Sequence, residues 1–239
     1  MATLTRTLKQ SSSMIYATLL MTLLALLVLS PAEATLGNVV KIVYAHGAAE
    51  RVSSYAYLIA GGLGLVALSL RGAQFATKQS PKPKAEFASQ TPLAMTLTRW
   101  TQAVAETAIV FWIAQFIISA PAQILAWGAF TLNEPRVAGA LWILLLTALI
   151  YIVARWIGDK FWIAIAAIAN AAVYVIVLRG EVNILHPFDP ILGSDSLAIK
   201  LFYAAIVITM GFIAFQFARD RVGQIANLPY MRSTNVNPE

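Results

Sequence analysis

Long apolar runs separated by short polar stretches dominate the chain. Six runs are long enough to cross the roughly 30 Å hydrocarbon layer of a bilayer as helices, which takes about 20 mostly apolar residues. They cover about 14–35, 52–71, 100–126, 138–155, 161–178 and 196–218. The third contains Pro121, which predicts a span over 100–119 followed by a short interfacial piece. The stretch "RGAQFATKQSPKPKAEFASQTP" (71–92) is basic, polar and proline-containing, and predicts a linker. Arg6 and Lys9 ahead of an apolar core from Met14 to Leu29, then "PAEA" at 31–34, also fit an export signal. We read this segment as a retained first span. The expected fold is all-α: a polytopic six-helix transmembrane domain over 1–218, then a polar, partly disordered tail over 219–239.

Composition agrees with that pattern. Hydrophobic residues make up 59% of the chain and charged residues 12%, with mean hydropathy +0.72. Soluble domains carry about 25% charged residues, so this chain cannot coat a globular surface in water. Its net charge of +6 therefore reads against a membrane rather than against nucleic acid. With both termini inside, twelve of the seventeen Lys and Arg residues fall on inner segments, among them Arg71, Lys78, Lys82, Lys84, Arg155 and Lys160. Basic residues favour the cytoplasmic side, so both termini are expected there, in a bacterial-type inner (plasma) membrane. The absence of cysteine excludes disulfides, iron–sulfur clusters and haem attachment through the chain's own thiols.

Chemistry-bearing residues are few. The two histidines, His46 in "KIVYAHGAAER" and His186 in "RGEVNILHP", follow the first and fifth predicted spans and so fall on the same, outer side. Two readings are open. Neutral imidazoles are good axial ligands, and two of them can make a six-coordinate haem iron; equally, each can be an interfacial polar group bonded to backbone or water. Glu106 lies two turns into the third span, where an ionisable residue is a functional candidate or a helix-packed, snorkelling acid. Asn170 and Gln115 fit interhelical hydrogen bonding, and "GGLG" at 61–64 fits close helix approach. No Ser–His–acid set, HExxH or phosphate loop is present, so no enzymatic activity is expected.

The chain resembles the cytochrome c assembly family of membrane haem-handling proteins. Tyr44 and His46 in "VYAHGA" match that family's first histidine context, and Leu185, His186 and Pro187 match its second. Its tryptophan-rich outer loop, of the form "WGxxWxWDxR", aligns without gaps on "WGAFTLNEPRVAG" (127–139). Trp127, Gly128 and Arg136 are kept and Glu134 replaces the acid, but Phe130, Thr131 and Asn133 occupy the stretch of the remaining aromatic residues.

The resemblance implies that His46 and His186 hold haem b. It further implies that Arg136, Arg51 or Arg179 pairs with the propionates and that Trp127 supplies apolar surface. The implied partners are membrane lipid, a haem chaperone or apocytochrome c on the outer face, and an ABC-type transporter; no nucleic acid is implied. A second reading from the same ancestry is a permanent structural or electron-transfer subunit of a larger respiratory or photosynthetic complex. A third, a transporter proton-coupled through Glu106, finds no inverted repeat in its support.

Overall fold

The computed structural model describes residues 2–77, 84–180, 191 and 193–226. Those residues form six α-helices: α1 (Ala2–Leu29), α2 (Val40–Thr77), α3 (Lys84–Trp127), α4 (Pro135–Ile157), α5 (Lys160–Gly180) and α6 (Leu197–Ala226). Each contains a segment long and apolar enough to cross a membrane. Helices suit that setting because every backbone polar group is satisfied within the segment.

Several boundaries differ from the hydropathy pattern. Helix α2 begins at Val40, not near 52, so "KIVYAHGAAER" is helical and His46 is an intrahelical residue rather than part of a loop. Charged Lys41, Glu50 and Arg51 depress the local hydropathy without breaking the helix. Helix α3 continues through Pro121 to Trp127 instead of ending near Ser119. A proline removes one backbone hydrogen bond, and neighbouring helices and local hydroxyls accommodate it in a membrane helix. Helices α2 and α3 also extend into the predicted 71–92 linker, to Thr77 and from Lys84. Helix α6 runs to Ala226, into the predicted tail; residues 227–239 lie outside the described residues.

Helix α2 is the hub, packing on α3, α5 and α6, while α4 closes on α5 and α1 leans mainly on α6. An aromatic knot joins α2, α3 and α5: Tyr57, Trp112 and Tyr174 have ring centroids 5.8–6.0 Å apart. Two of the three polar tips have partners, Trp112 Nε1 donating to the Ala140 carbonyl (2.8 Å) and Tyr57 Oη bonding Thr147 Oγ1 (2.9 Å). Gly61 and Gly64 set the α2–α5 spacing. A Cβ at Gly61 would fall 2.6 Å from Ala171 Cβ, and one at Gly64 would fall 2.8 Å from the Ala164 carbonyl oxygen, so only glycine allows this approach.

Two caps organise the ends of α4. Glu134 is its N-cap, accepting from the Val137 N–H at 2.8 Å, with Pro135 in the first turn; Gly158 (φ 79°) is its left-handed C-cap. These follow the residue preferences of helix termini. Ser12 Oγ donates to Asp220 Oδ2 (2.5 Å) and accepts from Gln216 Nε2 (3.0 Å). The early part of α1 and the late part of α6 therefore share one end of the bundle.

Candidate functional site

At the opposite end, where α2, α4 and α6 start and α3 finishes, the helices splay around a cavity of about 930 Å³. Helix α2 supplies one wall. His46, Glu50 and Ser54 recur at four-residue intervals, with Gly47, Arg51 and Tyr55 alongside, and all six line the cavity. This spacing places them on one face of a helix.

His46 is held by a single polar contact: Nδ1 lies 3.1 Å from the Gln115 backbone carbonyl on α3. A carbonyl oxygen can only accept, so Nδ1 carries the proton and donates. For the neutral ring this fixes the tautomer with Nε2 unprotonated, its lone pair free of hydrogen bonds to described residues. An imidazole oriented through one nitrogen with the other available is the arrangement of a metal-ligating histidine. The Gln115 side chain is also buried, and its Nε2 has no partner among the described residues.

Two arginines flank this histidine. Arg51 Nε donates to Tyr203 Oη at 3.1 Å, with its guanidinium carbon 6.0 Å from that ring's centroid. Gly47 makes room for the contact, because a Cβ there would sit 3.1 Å from the Tyr203 hydroxyl. Tyr203 in turn packs on Tyr44 (6.2 Å), whose hydroxyl donates to the Pro31 carbonyl (3.3 Å). Arg136, from the first turn of α4, reaches Glu50 Oε1 at 3.4 Å. Trp127, the last residue of α3, is 53% exposed at the rim.

The structure thus brings His46, Arg51, Trp127 and Arg136 to one cavity. Arg179 is exposed and is not among the residues that line the cavity, although Leu178 beside it is. His186 lies outside the described residues. Glu134, the acid of the loop motif, is buried as a helix cap. Sequence reasoning missed Glu50 and Tyr203, and it gave Gln115 only a role between helices. Extending the helical spacing backwards from Ser54 to Val40 would have found Glu50.

The loop before α2 is also ordered. The Glu33 carboxylate accepts from the N–H groups of Thr35 and Leu36, both at 2.8 Å. These bonds, that from Leu36 first, hold its pKa below the ordinary glutamate value.

Glu106 belongs to a different cluster, nearer the Ser12 end. Gln102 Nε2 (3.0 Å) and the Tyr151 hydroxyl donate to its Oε1, while Arg221 donates to Oε2 at 2.5 Å. It is therefore an ion-paired clamp joining α3, α4 and α6, not a snorkelling acid. Among the described residues, no group of three or more His, Asp or Glu side chains is placed to hold a metal ion.

No protein-family model matches the chain, and no curated protein or solved structure matches it either.

Proposed function

We propose that the chain is a membrane haem-handling protein that takes haem b into the His46 cavity and passes it to a partner. In this reading His46 is one axial ligand and His186 the other. Arg51 and Arg136 face the propionates, and Trp127 covers part of the porphyrin rim. The observation that carries the reading is the locked tautomer of His46, which leaves Nε2 available in a 930 Å³ cavity with two guanidinium groups on its walls. That volume lies at the upper end of the range for ligand pockets, about 300–1,000 Å³. Bound iron would add ligand exchange and no bond-making step, so the role is not enzymatic.

The twelve-to-five distribution of basic residues supports both termini being cytoplasmic, with the His46 cavity on the outer side of a bacterial-type inner membrane. The partner there would be a haem chaperone or apocytochrome c, with an ABC-type transporter in the same assembly.

One observation favours the alternative of a permanent subunit in a respiratory or photosynthetic complex. Thr131 and Asn133 stand exposed in the loop before α4, where aromatic residues would form a docking shelf.

The test is the absorption spectrum of the purified chain titrated with haem. The expected result is a Soret band and a reduced α band of b type, both lost in His46→Ala. Arg136→Ala should weaken binding at least tenfold, the loss of about one charge-assisted hydrogen bond. Absence of any perturbed Soret band in the wild type would overturn the proposal. Transfer of bound haem to an apohaemoprotein separates the carrier from the fixed subunit.

A further inference from the structure

A second cavity of about 540 Å³ lies lower in the bundle, where α2, α3 and α6 meet. Its walls are hydrocarbon: Ile59 and Leu63 from α2, Leu97 and Val104 from α3, and Val207 and Phe215 from α6. Tyr55, Ile59 and Phe215 on its margin are each more than half exposed, so the groove opens sideways. All three helices are within their membrane-spanning segments at this depth.

Gly211 lines the groove and leaves part of it unfilled. Gly61 and Gly64 have neighbours that would collide with a side chain, but a Cβ on Gly211 meets nothing within 4 Å. Glycine weakens a helix relative to alanine, and no neighbouring helix requires one here. The side chain missing from Gly211 is part of the space in the groove.

We infer that this groove holds one acyl chain of a bilayer phospholipid as a resident ligand. The inference is independent of the haem reading. Size commits to it. Taking a methylene as close to a water in liquid volume, about 30 Å³, the 540 Å³ groove takes about 18 carbons, a single lipid tail. A partner's transmembrane helix is about 10–12 Å across and about 20 residues long, far more than the groove admits. Chemistry agrees, since no charged side chain lines the groove. At its lower end the lining residues Trp100 and Ala218 are each one position from a cation, Arg99 and Arg219. Neither arginine lines the groove itself, so they bear on the headgroup region only through their depth along the helices.

The experiment is native mass spectrometry with lipid extraction on the full chain, washed extensively in mild detergent. One phospholipid per chain is expected in the wild type. Gly211→Leu, which fills the groove, should lower occupancy at least fivefold. Gly62→Leu should retain the lipid, because Gly62 is exposed, lines neither cavity and has equally open space at its Cβ. No retained phospholipid in the wild type, equal retention in Gly211→Leu, or release of a non-acyl molecule such as an isoprenoid overturns the inference.

Should Gly211→Leu fail to fold, a phospholipid carrying a diazirine on its acyl chain decides the matter with the wild-type chain. Labelling at Gly211, Ala214 and Ala218 supports the groove; labelling confined to the outward Ile208 and Phe212 overturns it. Haem binding unchanged in a folded Gly211→Leu variant keeps this result separate from that of the His46 cavity.

Discussion

Replacing Arg221 by methionine removes both guanidinium contacts at 2.5 Å from Glu106 Oε2 and keeps most of the side-chain volume. The carboxylate left behind has a side chain only 12% exposed, with Gln102 and Tyr151 as its remaining donors on the other oxygen. Deleting one partner of a buried ion pair costs about 3–5 kcal/mol. The Arg221 side chain is 31% exposed, so solvent and headgroups screen part of the attraction, which brings the expected loss to about 2–3 kcal/mol. For a chain of this length that corresponds to a fall in Tm of roughly 4–12 °C.

Glu106→Gln neutralises the acid at nearly constant shape, and alone it leaves Arg221 facing a weaker acceptor. In the double variant the amide meets an apolar neighbour with no unpaired charge remaining. The two losses should therefore fall short of additivity by at least about 1 kcal/mol. Unfolding of the detergent-solubilised chain, followed by circular dichroism near neutral pH at fixed ionic strength, reads all four proteins. If Arg221→Met lies within about 0.5 kcal/mol of wild type, or the single losses simply add, the cluster is not a clamp and the reasoning fails.

Two further outcomes follow from local geometry. Gly61→Ala and Gly64→Ala, which force a Cβ into α5, should each destabilise by about 1–3 kcal/mol. Gly62→Ala between them should be neutral or slightly stabilising, and equal losses at all three positions would contradict the close-contact account. The Glu33 carboxyl should titrate with a midpoint below 4.5 in a carbon-detected NMR experiment. A depressed pKa means that order in the 33–37 turn is present above the unfolded pKa and is lost as pH falls through the folded one. A midpoint at or above the free value would show that the two backbone bonds do not form in solution.

The membrane helices were legible in the sequence because hydropathy reports transfer into lipid directly. Helices α4, α5 and α6 begin within three residues of their expected starts. The failures occur where polar residues or a proline interrupt the apolar run of a helix. Val40 to Arg51 carries Lys41, His46, Glu50 and Arg51, which lower the local hydropathy although three of them turn toward the cavity. Pro121 carries a strong breaking signal, yet α3 continues through it to Trp127.

At the site, His46, Arg51, Trp127 and Arg136 were identifiable as chemistry-bearing residues. Their convergence was not, because it depends on α2 starting a full three turns earlier than its apolar run. Tyr203, 152 positions from the arginine it accepts from, and Arg221, 115 positions from Glu106, gave no local sign of their partners. Arg221 was further hidden by falling in the presumed tail.

The ion pair between Glu50 and Arg136 sets a condition on any anion that settles in the upper chamber. Arg136 already has a carboxylate within 3.4 Å, so an incoming acid group would share its guanidinium with Glu50 rather than meet a bare cation. Without a guest Glu50 still faces Arg136, and the cation is not stranded at low dielectric. Such a standing partner would temper the affinity for a simple ion and favour a guest that brings a second attachment.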